Sequence, residues 1–220
     1  MTKFDYIRDP AEIYRKSFET IEAEADLRAF NGPERGMAVR LIHACGMIDL
    51  VDDLVFSGNP AQTGIAALNK SARVLVDAEM VSRGIIGNQL PGGNMIVCTL
   101  NNDAVAVRAE AEKTTRSAAQ IDGWAPHLKD AVVAIGNAPT ALFRLLELLD
   151  QGADRPAVIL AFPVGFVGAA ESKQALIDHA GGIPFATVKG RRGGSAMAAA
   201  SVNAMGVGDP SSADSGRPGQ

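Results

Sequence analysis

The stretch Ala131-Val132-Val133-Ala134-Ile135-Gly136-Asn137-Ala138-Pro139-Thr140-Ala141-Leu142 decides the fold. A short run of β-branched and small apolar residues passes through a glycine turn into a helical stretch that extends to about residue 151. This is the pattern of a β-α unit. It recurs on both sides. Strands are predicted at 74–78, 95–100, 157–162 and 184–188 as well as 131–135, and helices at about 103–120, 169–179 and 195–205. Five such strands predict a three-layer α/β/α domain around a doubly wound, mostly parallel sheet. The ligand site of that architecture lies at the carboxyl ends of the strands.

Before Arg73 the reading is helical. Asp9-Pro10 reads as a helix start, and Ile13, Tyr14, Ser17, Phe18, Ile21 and Ala25 recur at three- and four-residue spacing, which predicts an amphipathic helix over 10–30. Pro33 and Glu34 open a second helix over 33–46, which carries Arg40 and His43, and a third is read over 60–72. No strand is predicted in this N-terminal segment. Residues 1–208 are read as a single domain and 209–220, which offer almost nothing to bury, as a flexible tail.

Of the 220 residues, 47% are apolar but only 5% aromatic, so the core must be built from aliphatic side chains. A net charge of −4 removes any general attraction to nucleic acid or to an anionic membrane surface. Cys45 and Cys98 have no spacing suited to zinc or an iron–sulfur cluster and read as free thiols of a reducing compartment. The first ten residues are charged and no run approaches the length of a membrane span, so a cytoplasmic protein is expected.

His43 follows Arg40 by three residues, which places both on one helical face. Histidine can donate and accept a proton near neutral pH, although a lone histidine between Ile42 and Ala44 is more often a core or interface residue satisfied by a hydrogen bond. Lys189, Arg191 and Arg192 stand in Val188-Lys189-Gly190-Arg191-Arg192-Gly193-Gly194-Ser195, where a strand ends and a helix begins. That segment is either an exposed basic loop or a capture site for carboxylate or phosphate. Arg116, read as near the end of its helix, is either a dipole partner or a further carboxylate clamp. Asp49, Asp52 and Asp53 read as a solvated helix end and not as a metal site. Neither a P-loop nor a dinucleotide fingerprint is present, and Ser195 lacks the frame of a nucleophile elbow.

Four segments, in order, resemble the precorrin-8X methylmutase (precorrin isomerase) family: Leu41-Ile42-His43-Ala44-Cys45-Gly46, Gly136-Asn137-Ala138-Pro139-Thr140-Ala141-Leu142, Pro163-Val164-Gly165-Phe166-Val167-Gly168-Ala169-Ala170-Glu171-Ser172-Lys173 and Gly190-Arg191-Arg192-Gly193-Gly194-Ser195-Ala196. The likeness spans about residues 6–206. It implies a flavodoxin-like fold and a homodimer with active sites at the subunit interface. It also implies that no organic cofactor or metal is used. The implied reaction is an isomerisation of cobalamin biosynthesis, in which a methyl group moves between adjacent ring-C carbons and precorrin-8X becomes a tightly bound product, hydrogenobyrinate. On the family pattern His43 is the proton donor and acceptor, and Ser17 and Arg40 match substrate-binding positions. Arg116, Arg191 and Arg192 join them on charge and placement. The alternatives are the cobalt-containing substrate of the anaerobic route, a non-catalytic corrinoid carrier, and a flavodoxin-like module for a nucleotide or flavin.

Overall fold

A computed structural model describes residues 4–206; the tail read at 209–220 lies outside the described residues. In chain order the elements are α1 (Pro10–Glu24), α2 (Pro33–Cys45), β1 (Leu54–Ser57), α3 (Pro60–Leu68), β2 (Val74–Val76), α4 (Glu79–Gly84), β3 (Ile96–Val97), α5 (Asp103–Ala111), α6 (Arg116–Asp122), β4 (Val132–Ile135), α7 (Pro139–Asp150), β5 (Val158–Ala161), α8 (Ala169–His179), β6 (Phe185–Val188) and α9 (Ser195–Gly206).

The strands form one sheet in the order β1-β6-β5-β4-β2-β3. All neighbours are parallel except β1, which runs antiparallel to β6 with Leu54 opposite Val188. Every residue of β4, β5 and β6 is buried, as expected of parallel strands covered on both faces. Alternate residues feed two cores. Val132, Ala134, Val158, Leu160, Ala186 and Val188 face α2, α3 and α9, while Val133, Ile135, Ile159, Ala161 and Phe185 face α6, α7 and α8. The scarcity of aromatics suits this close layering. At Gly136, just past β4, an added Cβ would come within 2.7 Å of Ala198 Cβ and 2.8 Å of Ser195 Cα on α9.

The five parallel strands lie in the flavodoxin order. The chain leaves β2 for β3 on one side and then crosses back to place β4 on the other, so the topological switch point falls between β2 and β4. Three sequence expectations need correction. A sixth strand, β1, lies in the segment read as strandless. It is four residues long and only half-buried, and its pairing partner lies far away in β6, so no local period announces it. The single helix expected over 103–120 is two. Lys113 takes a left-handed φ of 52°, and Thr115 then caps α6 by accepting the Ala118 N–H at 3.1 Å. Arg116 therefore opens a helix and does not close one. Finally, α1 stops at Glu24, short of the expected residue 30.

Candidate active site

Glu34, in the first turn of α2, caps the neighbouring helix as well, since its carboxylate accepts the Ala61 and Gln62 N–H groups of α3, each at 3.0 Å. At the far end Gly46 adopts the left-handed conformation, φ 68°, and donates to the Ile42 carbonyl at 2.8 Å. The 3-10 turn Ile48–Asp53 then leads into β1, whose first residue stands opposite the last of β6. His43, one turn before Gly46, is thereby set at the carboxyl edge of the sheet.

Helix α1 supplies the surroundings of His43. Tyr14, Ser17, Phe18 and Ile21 form one stripe that faces α2. Ser17 Oγ is 2.8 Å from His43 Nδ1, and the Tyr14 and Phe18 rings stand 5.5 and 5.3 Å from the imidazole, centroid to centroid. The Arg40 guanidinium lies 5.9 Å from the Phe18 ring, and its Nε is buried with no hydrogen-bond partner among the described residues. Burial lowers the His43 pKa from 6.5, and the charge of Arg40 lowers it further, so the resting imidazole is neutral at pH 7. With Nδ1 engaged, Nε2 remains for a ligand. A hydroxyl can donate to bare Nδ1 or accept from protonated Nδ1, so Ser17 holds the ring in either state.

The structure brings Ser17, Arg40 and His43 together but disposes the other predicted residues differently. Arg116 lies in the opposite helix layer and donates to the Leu100 carbonyl at 3.2 Å. Arg191 is exposed, with its guanidinium 5.6 Å from the Phe166 ring. Arg192 is paired with Asp49 at 2.8 Å and also with Asp53. The three cations of the 189–192 segment thus do not converge on one point, and two of the acidic residues read as a solvated helix end hold an arginine.

Sequence reasoning passed over two buried ionisable groups. Asp77, just past β2, fills the switch point: its carboxylate accepts the N–H groups of Gly136, Asn137 and Ala138 at 2.8, 3.0 and 2.8 Å. Burial pushes its pKa up against those three donors. A phosphate, which would occupy this nest in a nucleotide-binding relative of the fold, finds its donors already taken. Lys173 is fully buried and donates to the Arg192 carbonyl. A findable signal existed, because Ala169, Ser172, Lys173 and Leu176 form the inward stripe of α8.

Burial holds the Lys173 pKa down to about 8, against 10.5 for a free lysine. Between those values the unfolded chain binds more protons than the folded one, so stability rises with pH through this window. At 1.36 kcal/mol per unit, wild type should gain on the order of 3 kcal/mol relative to Lys173→Met from pH 8 to 10.5. Urea titrations of both proteins across that range check this, and parallel pH profiles would refute it.

A cavity of about 780 Å³ lies between α7 and α8, lined by Phe143, Leu146, Arg155 and His179, but it opens at the amino edge of the sheet beside Ile183. A second, of about 580 Å³, is lined by Glu24, Asp26, Asp49 and Asp52, the wrong charge for an anionic ligand. Among the described residues there is no group of three or more His, Cys, Asp or Glu side chains that could hold a metal ion, and no helix is long and apolar enough to cross a membrane.

Comparison with known proteins adds the chemistry. The family model for precorrin-8X methylmutase matches residues 12–207. The chain is 55% identical to the precorrin-8X methylmutase of Pseudomonas aeruginosa over 91% of its own length and 97% of that protein's. It is 34% identical to the cobalt-precorrin-8 methylmutase of Priestia megaterium, over 90% and 88% of the two chains. The crystal structure of precorrin-8X methylmutase from Thermus thermophilus superposes with a TM-score of 0.80 at 36% identity, covering 88% of this chain and 93% of that one. A match of this extent, on a flavodoxin-ordered sheet with His43, Arg40 and Ser17 gathered at its carboxyl edge, places the chain in the precorrin-8X methylmutase family.

Proposed function

We propose that the protein is an isomerase of cobalamin biosynthesis that converts precorrin-8X to hydrogenobyrinate by moving a methyl group between adjacent ring-C carbons. The observation that carries this reading is the Ser17–His43 pair beside Arg40, set in a chain that matches a precorrin-8X methylmutase along nearly its whole length. The higher identity to that protein than to the Priestia megaterium enzyme favours the metal-free substrate.

A methyl shift within a conjugated macrocycle needs no hydride and no protein nucleophile. It needs a held geometry and a proton that redistributes the π-electrons. His43 supplies that proton from Nε2 to the ring and takes it back once the methyl group has moved. The substrate's carboxylates provide the trigger. A carboxylate on Arg40 neutralises the charge that, second to burial, depresses the His43 pKa, and so removes the electrostatic part of the bias against a protonated imidazole. Ser17 follows by turning its hydroxyl from donor to acceptor. Arg191 and Arg116 serve as rim cations for further carboxylates.

The same proposal includes a cytoplasmic homodimer with shared pockets. Ile21 is the one buried residue of α1, while Tyr6, Ile7, Ile13 and Tyr14 stand exposed, the Tyr14 ring beside His43. A flat ring of corrinoid size is more than a cleft in one such domain covers. A twofold partner laid on α1 buries that apolar face and closes the pocket. The test is to mix the purified dimer with metal-free precorrin-8X and follow the visible spectrum. Conversion to hydrogenobyrinate is expected. A bound ligand with an unchanged spectrum would make the protein a carrier, and turnover of the cobalt-loaded ring alone would assign it to the anaerobic route.

A further inference from the structure

We infer that Lys173 is a positioning residue of the substrate-facing edge: its buried amine holds the Arg192 carbonyl, and the Arg192 guanidinium on Asp49 and Asp53 ties that loop to the segment leaving the His43 helix. The assignment to this edge rests on the functional reading above. The geometry does not.

Lys173 is fully buried, and among the described residues its one hydrogen bond goes to a loop carbonyl, not to a carboxylate. A buried amine costs far more than the aliphatic residue that would fill the same place, so the loop contact is what distinguishes it. From the Arg192 carbonyl the linkage runs outward. The guanidinium of that residue bridges Asp49 and Asp53, three and seven residues past the Gly46 cap of α2, and Lys189 N–H donates to the Asp53 carbonyl at 2.9 Å. The segment after β5 closes the third side. Gly194 N–H donates to the Phe162 carbonyl at 2.7 Å, Gly165 N–H to the Arg191 carbonyl at 3.3 Å, and a Cβ on Gly193 would press into the Phe162 and Pro163 carbonyls. Three loops at one edge of the sheet are thus joined by backbone bonds, to which the Lys173 amine adds an anchor from beneath and the Arg192 guanidinium a brace across. Arg192 is the strut of this assembly. Arg191, in no ion pair among the described residues and directed over Phe166, is the cation left to meet the ligand.

Two readouts test this. Amide hydrogen exchange needs no ligand: in Lys173→Met the Gly165, Lys189 and Gly194 N–H groups should exchange about tenfold faster or more, while β4 and β5 keep their protection. Unchanged exchange at those three amides would overturn the inference whatever the protein's substrate. For function, Lys173→Met should weaken hydrogenobyrinate binding about tenfold, with the single-turnover rate at saturating precorrin-8X within about twofold of wild type. Arg191→Ala should then cost clearly less in the Lys173→Met background than in wild type. Additive losses, or a fall in melting temperature with full affinity in the folded protein, would leave Lys173 a core residue only. Should Lys173→Met not fold, Arg192→Gln cuts the same linkage from the surface and is expected to give the same pattern. Wild type that fails to convert precorrin-8X yet shows the exchange result would refute the functional reading and leave the strut standing.

Discussion

His43→Ala is expected to lower turnover by roughly 10²–10⁴-fold, the usual contribution of a positioned general acid or base, with the fold and product binding retained. The imidazole is only partly shielded from solvent and, among the described residues, its one hydrogen bond is to a hydroxyl that water can replace, so the loss in stability should stay below about 1 kcal/mol. Binding should survive because, on the proposed reading, the imidazole meets one point of a ligand held by several carboxylate contacts. The pH profile gives a second signature. Burial and Arg40 place the free-enzyme pKa of His43 below 6.5, so the limb of the kcat/KM profile in that range should vanish with the imidazole. Single-turnover kinetics with precorrin-8X settle the matter: a folded variant with wild-type rate would remove His43 from the chemistry. A packed, non-catalytic histidine would show the opposite partition, with lower melting temperature and near-normal turnover.

Asp77→Asn should cost roughly 2–5 kcal/mol of folding stability, since each buried N–H left without an acceptor costs about 1–3 kcal/mol. An asparagine offers one oxygen where three N–H groups converge on two, so its amide NH₂ must face at least one donor. The site cannot relax to make room. Gly136 has no room even for a Cβ, which would come within 2.9 Å of Val81, Ser195 and Ala198, and the Asp77 carbonyl is itself tied to Gln120 Nε2 at 2.8 Å. Because Gly136 to Ala138 lead directly into α7, the damage should extend to that helix. Urea unfolding gives the number, and a loss below about 1 kcal/mol would mean that the carboxylate is not what holds the switch point closed.

The sheet was legible in the sequence because its evidence is local. Val132 to Ile135 and Val158 to Ala161 are continuous apolar runs bounded by glycine or proline turns, and only a strand buried on both faces uses such a run. The His43–Arg40 face was legible for the same reason, as a three-residue spacing within one helix. Tertiary structure decided whatever depends on a distant partner. Strand β1 exists only through its pairing with β6, and Ser17 meets His43 across 26 residues of chain. Arg192 finds Asp49 across 143 residues, so whether it clamps a ligand or braces a loop could not be read from its neighbours in the chain. Asp77 looks like an ordinary strand-end charge in one dimension, and Lys173 betrays its burial only through the stripe it shares with Ala169, Ser172 and Leu176. Their burial is set by which face of α8 meets the sheet and by which strand lies beside β2. Local periodicity determines the elements, while the pairing of charges across the carboxyl edge follows from how those elements pack.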